Sequence, residues 1–382
     1  MISAGLPMRS MFACLMLFTA FVTLRADDDP IFNDRRMSEW LAILKNDSSA
    51  RKRKAAAVAV GQIANDLKDT KKFILPVLAM AIRNDPAAPV RSQAAVTLGQ
   101  QPPEFSGAFV TDLAECLRTE KDTQVKIDVS TALGRIGRIA KAGVLPLTGL
   151  LKDQNADVRA TAADSLGRIG SDAKSATAAL LSLIADKEPR VRQRAVFALG
   201  RVESDDPEPT VVALVDILNT NNDPAIRLET VVSLGLIGVK TVDVANAIAR
   251  TLPDESTETR KQACLALAKL GFVAKRSEKA IRQLMIADPD KDVRTLAVRA
   301  MTAAYATDAV ELIPLLTDRL SKDADFEVRI AIAEELGSFG NAGKSAIPGL
   351  RAATKDPQRK VREAATAAIQ QIERPPVKPD GM

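Results

Sequence analysis

The stretch Val158-Arg159-Ala160-Thr161-Ala162-Ala163-Asp164-Ser165-Leu166-Gly167-Arg168-Ile169-Gly170 decides how the rest of the chain is read. Its apolar and small residues fall at 158, 162, 163, 166 and 169, the spacing that lines one face of an α-helix. The same pattern returns at 90–99, 125–137, 191–200, 226–238 and 328–340, with weaker copies around Arg53, Arg260, Arg294 and Arg362. With the basic residue as anchor, ten copies stand at 53, 91, 126, 159, 192, 227, 260, 294, 329 and 362, spaced by 33 to 38 residues. Self-similarity at such a period marks a solenoid. The expectation is an all-α fold, a right-handed α-α superhelix of about ten helical hairpins.

Each unit reads as two helices. The anchor helix, helix B, carries Leu seven positions after the anchor, as in Leu98, Leu133, Leu166, Leu199, Leu234, Leu267 and Leu336. Gly stands eight positions after it in seven of the ten copies. A helix-interior Gly costs about 1 kcal/mol against Ala, so its recurrence predicts close packing. A second Gly, at anchor +11, predicts the helix end. Helix A comes before, as in 142–153, 175–186, 312–323 and 345–356, with Pro76, Pro146, Pro314 and Pro348 near the starts. An Asp lies six residues before the anchor at 47, 85, 153, 186, 254, 288, 323 and 356, with Glu120 and Asn221 in the other two copies. No catalytic group is needed ten times. The reading is a structural ladder, each Asp capping helix B or pairing with an anchor Arg of its own or the next repeat.

The 382 residues contain no His, which excludes His triads, His metal sites and His proton shuttles. The net charge of +5 includes Arg9 and Arg25 of the first 26 residues, so the remainder is nearly balanced and does not argue for nucleic acid. The run Arg51-Lys52-Arg53-Lys54 reads as a solvated helix face. Phosphate-loop, GxSxG, CxxC and HExxH motifs are missing from the sequence, and no catalytic, cofactor-binding or metal-ligating residue is assigned. Cys116 and Cys264 fall on apolar helix faces and read as buried free thiols.

Met11–Leu24 is a 14-residue apolar run after Arg9, too short to span a bilayer and suited to a signal segment cleaved after Ala26. The expected organisation is a signal peptide at 1–26, a lead-in at 27–37, repeats at 38–373 and a Pro-rich disordered tail at 374–382. Ser38 is read as the N-cap of the first helix, Trp40 as the apolar plug of the first hairpin, and Gln370 and Glu373 as polar capping of the last. The location expected is exported: periplasmic, envelope or extracellular in a bacterium, with no membrane span once the signal is removed.

The pattern D-x5-VR-x2-AA-x2-LG-x-IG, over roughly 38–373, resembles the HEAT-type α-solenoids, in particular the short repeats of the phycobilisome-lyase-like kind. The period lies below the usual HEAT length of about 40–47. The resemblance implies a surface for protein–protein interaction, and the reading is a non-catalytic exported scaffold without cofactor. The alternatives are a cofactor lyase or chaperone-like enzyme of the phycobilisome-lyase type, and a structural envelope component or polyanion binder. At anchor +9, Arg135, Arg168 and Arg201, followed later by Lys269, form a candidate row for an acidic peptide or another polyanion. The weighed alternative is that these cations only complement helix C-termini.

Overall fold

In a computed structural model the described residues are 29–306 and 308–374. The expected signal peptide and all but the first residue of the Pro-rich tail lie outside them. The chain divides into two compact units, Met1–Gln101 and Pro102–Met382.

In the first unit, a short antiparallel ribbon of β1 (Ile31–Phe32) and β2 (Arg35–Arg36) leads into two helical hairpins. These are α1 (Met37–Asn46) with α2 (Ala50–Asp66), and α3 (Lys71–Asn84) with α4 (Ala88–Gly99). The ribbon was not legible in the sequence, and it changes two expectations. The first helix starts at Met37, and Ser38 is not its cap: the Ser38 N–H and Oγ both donate to the Asp29 carboxylate at 2.7 Å. Trp40 is only partly buried, donates from Nε1 to the Phe32 carbonyl at 2.8 Å and lies under the Arg35 guanidinium.

The second unit opens with the single turn α5 (Pro103–Ser106) and then stacks eight hairpins. Their A helices are α6 (Val110–Thr119), α8 (Val144–Leu150), α10 (Thr177–Ser182), α12 (Glu208–Thr220), α14 (Val242–Ala249), α16 (Glu278–Ala287), α18 (Leu312–Lys322) and α20 (Ile347–Ala353). The B helices are α7 (Thr123–Ile136), α9 (Ala156–Ile169), α11 (Pro189–Leu199), α13 (Pro224–Ile237), α15 (Thr257–Leu270), α17 (Lys291–Ala304), α19 (Phe326–Ser338) and α21 (Arg359–Glu373). Each B helix of this unit packs on the next, so the fold is an all-α solenoid. Several A helices are shorter than the sequence predicts. Between 170 and 185, for example, the chain runs through 3-10 turns on both sides of the six-residue α10.

Both glycine positions have physical causes. Gly137 and Gly170, at anchor +11, have φ of +70° and +77° and end their helices. Gly167, at anchor +8, lies so close to α11 that an added Cβ would stand 2.9 Å from Ala198 Cα.

The periodic Asp and Arg form a ladder with a fixed geometry. Arg159 Nη1 donates to the carbonyls of Asp153 and Gln154 in its own A–B turn at 2.9 and 3.1 Å. Its Nε and Nη2 donate to both carboxylate oxygens of Asp186, in the next repeat, at 2.8 Å each. Asp186 also accepts the Glu188 N–H, closing its own turn. Arg53–Asp85 in the first unit, and Arg260–Asp288, Arg294–Asp323 and Arg329–Asp356 in the second, repeat this arrangement. Capping of helix B falls to the residue two positions after the turn Asp, as at Asn155, Asp290 and Asp325. Burial pushes the carboxyls of Asp85, Asp153, Asp323 and Asp356 up. The cation and turn N–H hydrogen bonds more than offset this, so each lies below the usual range. For Asp186 the Arg159 hydrogen bonds are the leading cause.

Cys116 and Cys264 are buried and form no disulfide among the described residues, and burial raises the Cys264 thiol to about 12. No helix among the described residues is long and apolar enough to cross a membrane.

Three measurements test this account. Gly167→Ala lowers the urea midpoint, costing about 1–3 kcal/mol by overpacking. In exposed Gly149, with nothing within 4 Å of an added Cβ, the same change raises it, by up to about 1 kcal/mol. Asp323→Asn strands the Arg294 guanidinium in a pair whose side chains are 13% and 1% exposed; the expected loss is about 3 kcal/mol, read from the same unfolding curves. Because the ladder carboxyls are depressed in the folded state, their stabilisation is full above the unfolded Asp value and is lost as pH falls through the folded values. Stability is therefore expected to hold down to about pH 5 and to decline below about pH 4, measured by urea titration across pH.

Candidate functional site

The four cations of the predicted row occupy unlike settings. Arg135, at the end of α7, is exposed and makes no hydrogen bond or ion pair among the described residues. Arg168, at the end of α9, is exposed and donates from Nε to Asp164 at 2.6 Å. Arg201 is half-buried: its guanidinium lies 3.7 Å from the Phe197 ring centroid, and Nη1 donates to the Phe197 carbonyl at 2.8 Å and to Glu229 at 3.1 Å. Lys269 is exposed and donates to the Gly235 carbonyl, near the end of the previous B helix, at 3.3 Å. Two of the four thus serve helix-end carbonyls, the alternative that the helix dipole supplies. Arg135 and Arg168 are exposed and bond to no carbonyl.

What brings Arg168 into a site is a pair of residues that the row did not include. Arg190 and Arg194 flank the anchor Arg192 at the start of α11. Together with Arg168 and Asp164 they line a cleft of about 230 Å³, floored by Thr131, Ala160 and Thr161. Asp164 accepts from Arg168 on one oxygen and from Arg194, at 3.1 Å, on the other. Arg190 reaches Asp157 at 2.7 Å. The cleft therefore holds three guanidinium groups, two on Asp164 and the third on Asp157, with donors left over.

This arrangement suits an anion. Guanidinium forks match carboxylate, sulfate and phosphate oxygens two at a time. Exposure keeps each contact weak and salt-dependent, so recognition here needs several contacts at once. The signal for Arg190 and Arg194 was present in the alternation Arg190-Val191-Arg192-Gln193-Arg194. Reading it required knowing that Arg194 faces Asp164, thirty residues earlier.

Residues 110–200, 144–235, 177–252, 211–302 and 278–370 each match the profile of the HEAT repeats. No curated protein matches the sequence. Among solved structures the chain is similar to the crystal structure of an engineered protein, with 20% identity and a TM-score of 0.59 over 88% of this chain and 99% of that one. It is also similar to Kap121p, in the crystal structure of its complex with Pho4p, with 13% identity and a TM-score of 0.53 over 88% of this chain and 45% of that one. At these identities the likeness is one of fold. The stacked hairpins, their Arg–Asp ladder and matches that span more than half of its length establish that the chain belongs to the HEAT-repeat family.

Proposed function

We propose that this HEAT-repeat chain is a non-catalytic, exported scaffold that holds an acidic protein partner on the face made by α7, α9 and α11. The observation that carries the reading is the gathering of Arg168, Arg190 and Arg194 in one cleft, two of them on Asp164 and the third on Asp157, with exposed Arg135 at the end of the neighbouring helix. The solenoid supplies a repeated rigid surface, and in Kap121p the same fold is seen with a protein bound. Arg201 and Lys269 lengthen the row but are already committed to backbone carbonyls. The export half of the proposal rests on the apolar run Met11–Leu24 and the Arg25-Ala26 boundary.

The partner half is tested by using the protein as bait in an extract of its native host, at low and moderate salt. The expected outcome is an acidic protein retained by wild type and lost from Arg135→Glu/Arg168→Glu, with the melting temperature unchanged. Equal retention by the double variant removes this face from the proposal. Export is tested by N-terminal sequencing of the protein recovered from that host. A chain beginning at Asp27 in the envelope or medium is expected, and an uncleaved chain in the cytosol overturns it.

A further inference from the structure

The ladder loses its acid around α12. Arg192 keeps its Nη1 bonds to the Asp186 and Lys187 carbonyls, but the position that should receive its fork is Asn221, an amide. One repeat on, Arg227 reaches Asp254 by Nε at 3.2 Å, and its Nη1 goes to Leu218 instead of the turn carbonyls. The link into α12 is also irregular, with Glu203 at a φ of +49°. At 13 residues α12 is longer than its A-layer neighbours α10 and α14, of six and eight.

The result is a ridge with a cleft on each side. Towards α14 the cleft measures about 710 Å³ and is walled by Val211, Val212, Val215 and Val239. The cleft of about 640 Å³ on the other side is walled by Ile184, Pro209 and Ile217. Val212 lines both and is 62% exposed. The rims are acidic: Asp206, Glu208, Asp216 and Asp243 carry no ion pair among the described residues. The one cation of the linings, Arg250, is held by the Asn219 side-chain oxygen.

We infer that the α12 ridge and its two clefts are a docking surface for a cationic amphipathic segment of a partner protein, with its apolar side chains seated beside Val212 and its Lys or Arg residues meeting Glu208, Asp216 and Asp243. Charge complementarity selects this occupant. Four unneutralised carboxylates repel an anionic membrane surface and an acidic peptide, whereas an apolar strip between them suits the groove-binding mode of an amphipathic helix. Thirteen residues of α12 span about 20 Å, the length of three to four turns of a bound helix. The surface shares no lining residue with the arginine cleft and is opposite to it in charge, so the two readings stand or fall apart.

The probe is a 14-residue fluorescent peptide of Leu and Lys with Leu at helical i, i+4, i+7 spacing, set against a Leu and Glu peptide of the same pattern. Binding to the whole protein is followed by anisotropy. Saturable binding of the Lys peptide, weakened by salt, and none of the Glu peptide is expected. Val212→Ser, and separately Glu208→Gln/Asp216→Asn/Asp243→Asn, raise Kd by roughly ten-fold or more, as contacts at the centre of an interface do. All four side chains are exposed, and a melting curve on each variant checks that the fold is kept. Arg135→Glu/Arg168→Glu leaves Lys-peptide binding intact even if the arginine cleft has no partner. No binding by wild type, equal binding of both peptides, or variants that bind like wild type overturns the inference. So does sedimentation showing a self-association that these variants abolish, which makes the occupant a second copy.

Discussion

Everything in this fold depends on one guanidinium being used three ways. The anchor arginine gives one nitrogen to two carbonyls of its own A–B turn and two nitrogens to a carboxylate of the next repeat. A turn that reverses the chain leaves carbonyls without helical partners, and a buried carboxylate is costly without a cation. Each need satisfies the other. The planar fork explains the choice of Arg over Lys. Where Lys126 stands in for it, a single contact to Asp153 replaces the pair. Apolar burial by the repeated Leu and Ala drives the stacking, and the ladder sets the register in which it happens.

The repeat, its two helices and both glycine roles were legible because each is forced on many copies at once. A helix end needing positive φ, or two helix axes too close for a Cβ, leaves the same residue every 33 to 38 positions. The Asp was legible as a ladder element, but whether it paired within a repeat or across to the next was not, since both partners lie at constant offsets. What happens once was not legible. The β1–β2 ribbon rests on Asp29 and Phe32 meeting Ser38 and Trp40, contacts that no period announces. The division of the +9 row was equally hidden. Arg201 differs from Arg168 because Phe197 lies beneath it and Glu229 beside it, and neither recurs at the matching places in the other repeats.

Function in such an array belongs to departures from its rule. A position that serves packing in every copy has no freedom left for recognition. The arginine cleft arises where α11 adds Arg190 and Arg194 to the standard anchor, and the α12 ridge arises where Asn221 replaces the ladder acid. The two surfaces are opposite in charge and lie on different helix layers. A scaffold built this way can hold unlike partners at once without their competing for the same residues.

The ladder and the glycine that lets neighbouring B helices touch have a further consequence, visible at α21. In α21 its place is taken by Gln370, and Arg362 keeps its turn carbonyls while no carboxylate among the described residues receives its fork. Growth of the array by gene duplication is thereby channelled. A copied unit inserted between two regular repeats finds a fork behind it and an acid ahead of it, and no charge is orphaned.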